Sequence, residues 1–263
     1  MKITIIGAGN MGGAIARGLL KGTKFKEEDI TCTAKTEATL DKYRSAYPGM
    51  RLTTDNRKAV KDADIIVLAV KPWFMEEVIR GLHGAIDPSG QIFVSVAAGI
   101  SLAQLQEWIS GDIQAYPAVF RAIPNTAIEV LSSVTFIASA HADMEQQELI
   151  TDIFNEMGFA MNVEERLIPA GTALASCGIA FAMRYIRAAA EGGVEIGFRP
   201  AEAQKIVEYT VKGAAELLLA NGNHPESEID KVTTAGGITI RGLNEMEHEG
   251  FTSSVIKGLK ACL

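Results

Sequence analysis

The sequence predicts an α/β protein, in which an open, doubly wound parallel sheet is followed by a second, all-helical domain. Three observations predict it. Short β-branched runs at residues 2–6, 30–33, 65–70 and 91–96 alternate with helical segments such as 11–21 and 37–46, the strand–helix–strand order of a parallel sheet. The run Ile65-Ile66-Val67-Leu68-Ala69-Val70 is apolar on both faces, as a strand covered by helices on both sides must be. After about Val163 the rhythm changes to helical spacing throughout.

Strand-like runs at 113–120 and 133–138, with a helix over 143–157, complete the expected sheet, giving a first domain of 1–163. In the second, 164–263, residues 167–192 read as one long Ala-rich helix whose small residues permit close helix contact. Pro200 suits a helix start because its missing N–H costs nothing there. Ala203, Val207, Thr210, Ala214 and Leu217 then recur every three or four residues. Shorter helices are expected over 239–248 and 252–262. Residues 170–183 form the longest apolar stretch, below the roughly 18–20 residues of a membrane span, and are read as buried in protein.

Composition narrows the function. A net charge of −7 without a basic run argues against nucleic acid, whose phosphates need clustered cations. The three scattered cysteines, Cys32, Cys177 and Cys262, have no metal-ligand spacing and fit a reducing, cytoplasmic setting. No metal and no membrane partner is expected.

Gly7-Ala8-Gly9-Asn10-Met11-Gly12 places a GxGxxG between a strand and a helix, the context in which that pattern marks a Rossmann-like dinucleotide site. Gly7 permits the tight turn, Gly9 lets a pyrophosphate approach the backbone, and Gly12 allows close helix–strand packing. At the end of the second strand, where an NAD site usually carries a carboxylate, stand Ala34, Lys35 and Thr36, with no acid before Glu37. Lys35 and Thr36 can hold a 2′-phosphate, which favours NADPH and leaves NADH open. Ala69-Val70-Lys71-Pro72 and Val96-Ala97-Ala98 end later strands, where open parallel sheets bind ligands; ordinary strand-end turns are the plain alternative.

Ala69–Pro72, Arg121-Ala122-Ile123-Pro124-Asn125-Thr126 and Val232–Ile240, with its Gly236-Gly237-Ile238-Thr239, together resemble the pyrroline-5-carboxylate reductase family, in the family's order and over essentially the whole chain. The resemblance implies NADPH-dependent hydride transfer to the C=N of 1-pyrroline-5-carboxylate, giving proline. It implies that Gly7–Gly12 and Ala34–Thr36 hold the dinucleotide, with Asn56, Ala69–Pro72 and Val96–Ala98 beside the nicotinamide. Glu165 would help to position the substrate, with Gly236, Gly237 and Ile238 beside it and the Thr239 hydroxyl bonded to the ring nitrogen. A homodimer, or a larger homo-oligomer, is implied as well.

Read physically, Gly236 and Gly237 can expose successive N–H groups to a carboxylate, while the alternative makes Thr239 a plain helix cap. An iminium is already activated for hydride attack, so no strong acid is required. A 2-hydroxyacid-type dehydrogenase would need a proton donor, commonly a lysine early in the helical domain, and none lies between Glu164 and Gln204. The chain departs from the family pattern at Ala127, Cys177, Ile179, Lys231 and Ala235. A different cyclic imine therefore stays open as substrate, as does a non-catalytic NADP-binding regulator.

Overall fold

The computed structural model describes residues 1–113 and 115–263. It divides into two compact units, Met1–Ser176 and Cys177–Leu263.

The first unit is an eight-stranded sheet. Its strands are β1 (Ile3–Ile6), β2 (Ile30–Thr33), β3 (Arg51–Thr53), β4 (Ile65–Leu68), β5 (Ile92–Ser95), β6 (Ala118–Ile123), β7 (Ser133–Ala140) and β8 (Gly158–Asn162), in the order β3-β2-β1-β4-β5-β6-β7-β8. Six helices accompany it: α1 (Asn10–Lys21), α2 (Glu37–Arg44), α3 (Asn56–Val60), α4 (Met75–Gly81), α5 (Leu102–Ser110) and α6 (Met144–Asn155). A short α7 (Ile168–Gly171) follows β8. Two apolar clusters cover the two faces. One gathers Ile3, Ile5, Val67 and Phe120 with α1 and α6 residues; the other gathers Ile6, Ile66, Leu68 and Phe93 with residues of α4 and α5.

Two features differ from the expected sheet. β7 runs antiparallel to β6, because the 124–132 connection is shorter than the dozen or so residues a parallel crossover needs. The strand expected over 113–120 is found instead at Ala118–Ile123, and Gln114, inside that expected run, lies outside the described residues.

Cys32 lies in the core with no exposed surface, and burial pushes its thiol from the ordinary 9.0 up to about 12. Its contribution to stability is complete below pH 9.0 and is lost as the pH rises toward about 12, since only the unfolded chain then gives up the proton readily. Iodoacetamide at neutral pH is expected to spare Cys32 in the folded protein and to alkylate it after unfolding. Labelling of native Cys32, read by peptide mass, would contradict that burial.

The second unit holds α8 (Gly178–Glu195), α9 (Pro200–Asn221), α10 (Pro225–Val232), α11 (Ile238–His248) and α12 (Phe251–Lys260). The helix expected over 167–192 is interrupted. α7 is fixed to the sheet by buried Ile168 and by Gly171, where an added Cβ would come within 2.6 Å of the Phe136 ring. Thr172–Cys177 is then π-helical before α8 begins, the extra residue per turn resetting the helix face. α8 packs along α9, with Gly193 against Ala203 as the small residues lead one to expect; a Cβ at Gly193 would sit 3.0 Å from that of Ala203.

The expectation that residues 170–183 are buried is not met within the chain. Phe181 is 38% and Met183 57% exposed, and Glu195 ends a helical run from Glu165 that is long and apolar enough to cross a membrane by length and composition. Ala190 and Ala203 are the buried hydrophobics of the described second unit.

Candidate dinucleotide site and the helical domain

The site begins where β1 ends. Gly7 takes φ +100°, and a side chain there would meet the Ala69 carbonyl oxygen at 2.9 Å. The Gly7 and Ala8 N–H groups both donate to the Thr33 carbonyl, at 3.1 and 2.6 Å, tying the turn to β2. Gly9 is the N-cap of α1 and has no side-chain cap; the first turn carries no acid. A Cβ on Gly9 would meet nothing within 4 Å, whereas one on Gly12 would lie 2.1 Å from the Gly7 carbonyl oxygen. Gly7 thus makes a turn, Gly12 stands where helix and strand pack closely, and the space at Gly9 is open. What results is open space at the positive end of a twelve-residue helix, where unpaired N–H groups favour a phosphate.

Beside this turn lies a cleft of about 330 Å³ lined by Gly7, Thr33, Ala34, Lys35, Thr54, Asn56, Val70, Phe74 and Glu77, among others. Five of the expected residues are therefore in its wall: Gly7, Ala34, Lys35, Asn56 and Val70. Asn10 and Met11 lie in the first turn of α1, and Thr36 is the N-cap of α2. Ala69, Lys71 and Pro72 follow β4, with the Lys71 ammonium 6.0 Å from the centre of the Trp73 ring. Val96, Ala97 and Ala98 follow β5. All stand at the carboxyl edge of the sheet.

Tyr43, Arg17 and Thr33 support the site without any mark in the sequence. The Tyr43 hydroxyl donates to the Ala8 carbonyl at 3.3 Å and accepts from Arg17 Nη1 at 3.4 Å, so α2 and α1 brace the glycine turn. Burial raises the Tyr43 hydroxyl above its ordinary value. Arg17 in turn pairs with Glu129 at 2.9 Å. Thr33 Oγ1 is buried in the cleft wall without a hydrogen-bond partner. A lone Tyr in an amphipathic helix and a Thr in a strand carry no pattern that could have marked them.

The residues present fit a dinucleotide: volume is open where a Cβ at Gly9 would stand, and a buried hydroxyl is unpaired in the adjoining cleft. Glu165 is anchored within the first unit. Its Oε1 accepts from Leu102 N–H at 2.7 Å and from Arg121 Nη1 at 2.8 Å.

The Gly-Gly-x-Thr loop belongs to the second unit. Gly236 takes φ +69°, and the Gly237 N–H donates to the Thr234 carbonyl at 2.9 Å. That bond closes a turn and removes one of the two N–H groups expected to face an anion. Gly237 is the N-cap of α11, and Thr239 is its second residue, exposed and without a capping bond. Thr239 is therefore not the helix cap. Arg241 Nη2 holds the Gly236 carbonyl at 2.9 Å, and Ile238 is 83% exposed.

A mostly parallel sheet with this glycine cradle, followed by a helical unit, is the architecture of a dinucleotide-binding protein. The pyrroline-5-carboxylate reductase dimerisation family matches residues 165–263, and the family described as NADP oxidoreductase coenzyme F420-dependent matches residues 2–99. Pyrroline-5-carboxylate reductase 2 of Dictyostelium discoideum is 37% identical over 98% of this chain and 89% of its own length. Pyrroline-5-carboxylate reductase 1 of the same organism is 39% identical over 98% of this chain, which spans 48% of that protein's length. A solved pyrroline-5-carboxylate reductase from Coxiella burnetii superposes with a TM-score of 0.90 at 28% identity, over 99% of this chain and 95% of the other. The chain belongs to the pyrroline-5-carboxylate reductase family, NAD(P)H-dependent oxidoreductases that act on a C=N bond.

Proposed function

We propose that the chain reduces the C=N bond of 1-pyrroline-5-carboxylate with NADPH, giving proline, as a cytoplasmic homodimer or a larger assembly of itself. The observation that carries this reading is the union, in one chain, of the open glycine cradle with the family's helical region in family order. A structure of the Plasmodium falciparum pyrroline carboxylate reductase described with NADP bound has the same fold, with a TM-score of 0.85.

When bound, the reduced nicotinamide supplies the hydride. The chain's own work is to bind and orient. The start of α1 takes the pyrophosphate on the N–H groups of Asn10, Met11 and Gly12. Lys35 and Thr36 serve the 2′-phosphate, while Asn56, Ala69–Pro72 and Val96–Ala98 shape the nicotinamide side. In the helical unit the N–H groups of Gly236, Ile238 and Thr239 serve the substrate carboxylate, with Gly237 shaping the turn between them. The Thr239 hydroxyl, unspent on capping, holds the ring nitrogen; Glu165 is the further substrate-side residue. Exposed hydrophobics over α8 and α9, such as Met183, Ile206 and Leu217, supply an apolar surface for a second copy.

Purified protein mixed with NADPH and pyrroline-5-carboxylate is expected to consume the reduced-nicotinamide absorbance and form proline. Cofactor binding without turnover on five- or six-membered cyclic imines would sink the reading and favour a non-catalytic regulator. Lys35→Ala is expected to raise the KM for NADPH by roughly five- to tenfold, about one lost charge-assisted contact at an exposed position. The KM for NADH should stay put. An equal effect on both cofactors would remove Lys35 from the 2′-phosphate.

A further inference from the structure

Three buried polar side-chain atoms have no hydrogen-bond partner among the described residues, and two of them, Thr33 Oγ1 and Arg121 Nε, sit on one row of the sheet. The register aligns Thr33 with Ile6, Ile6 with Leu68, Leu68 with Ser95 and Ser95 with Arg121. On the four parallel strands β2, β1, β4 and β5 this is the last row before the chain leaves for the carboxyl edge. Thr33 lines the cofactor cleft. Arg121 stands at the other end of the row, one strand beyond the Val96–Ala98 turn.

Arg121 is 7% exposed. Its alternates on β6, Val119 and Ile123, belong to the apolar cluster that includes α4 and α5 residues, so its side chain enters that face. Glu165 Oε1 accepts both from Arg121 Nη1 and from the N–H of Leu102, the first residue of α5. One carboxylate oxygen therefore neutralises a buried cation and satisfies an orphan donor at the positive end of a helix. At the other end of the same segment, Val96 N–H donates to the Leu68 carbonyl at 3.1 Å and Ala97 N–H to Ser95 Oγ at 3.3 Å. Residues 96–101 are thus fixed by the sheet on one side and by Glu165 on the other. An ion pair with one partner buried and the other partly exposed is weak as a source of stability, because desolvation of the arginine offsets the attraction. Its use here is geometric.

We infer that Arg121 is a positioning residue for the proposed reduction, acting through Glu165 and the start of α5 to hold the 96–101 segment in its working geometry. The inference rests on reading the chain as a nicotinamide-dependent reductase. Hydride transfer is sensitive to small misplacement of the reacting atoms, so loosening this segment lowers kcat while leaving the glycine cradle, on other strands, intact.

The test uses the full-length protein with Arg121→Met, Glu165→Gln and the two together. Met fills much of the arginine stem, Gln keeps an acceptor for Leu102, and the double variant buries no charge, so it folds even where a single variant does not. Arg121→Met is expected to lose roughly tenfold or more in kcat, with the Kd for NADPH and the KM for the imine within about twofold, and the Glu165 variants to lose as much in kcat with the Kd for NADPH likewise unmoved. The double variant should be no worse than the poorer single, since the pair acts as one unit. A double variant with unchanged kcat, whatever its melting temperature, overturns the inference, as do losses that multiply. An Arg121→Met variant that keeps its kcat, beside Glu165→Gln with a raised imine KM, also overturns it, leaving Glu165 to act on the substrate without Arg121. Failure of the unsubstituted protein to turn over the imine removes the underlying reading, and is seen before any variant is compared.

Discussion

In Gly9→Ala, the affinity for NADPH is expected to fall about a hundredfold, on the order of 2.7 kcal/mol, with no change in melting temperature without cofactor. The alanine methyl meets nothing within 4 Å in the protein, so the fold has no reason to respond. It occupies the volume through which a pyrophosphate would reach the α1 N–H groups, and so the cost falls on binding. Gly12→Ala makes the necessary contrast. Its methyl would stand 2.1 Å from the Gly7 carbonyl oxygen and 3.0 Å from the Ala69 Cβ, and a backbone oxygen cannot swing aside. That variant should lose about 1–3 kcal/mol of stability from overpacking as well as its cofactor. Thermal unfolding with and without NADPH, and fluorescence titration of the reduced nicotinamide, separate the two. Equal melting temperatures for both variants would mean that Gly12 is not the packing glycine.

Thr239→Val carries the second large effect. The substitution keeps the shape and deletes the hydroxyl. Thr239 is exposed, lies at the second position of α11 and makes no capping bond, so stability should move by less than about 0.5 kcal/mol. If its hydroxyl holds the ring nitrogen, kcat/KM for the imine should fall by roughly a hundredfold, the lower range for losing a group that assists proton movement. NADPH binding should be unaffected. Steady-state kinetics beside a cofactor titration reads both, and an unchanged kcat/KM takes Thr239 out of the reaction.

The fold was legible where a single physical cause dominates. Ile65–Val70 could only be a strand covered on both faces, and Gly7–Gly12 could only be useful between a strand and a helix; both stand as expected. What escaped were decisions made by contacts distant in sequence. β3 and β8 are short edge strands that pair because a neighbour offers its backbone. β7 reverses because the connection before it is short. The interruption at Thr172–Cys177 arises where α7 is pinned to Phe136, a constraint absent from any helical periodicity. At the site, Arg121 was visible as part of a motif, yet its link to Glu165 and Leu102 joins residues 44 and 63 positions apart. At Gly236-Gly237 one of the two N–H groups expected to face an anion is spent on Thr234, a turn that the glycine pair alone does not announce.

The helices after Cys177 have scarcely any interior of their own, with Ala190 and Ala203 as their buried apolar residues. On the proposed assembly such a region borrows its interior from another copy, and what is borrowed can be spoiled by the lender. A substitution on these faces should therefore behave dominantly when mixed with the unsubstituted protein, because each assembly containing one altered copy exposes its sound neighbour as well. A lesion in the glycine turn has no such reach, and in mixed assemblies it should silence its own copy alone.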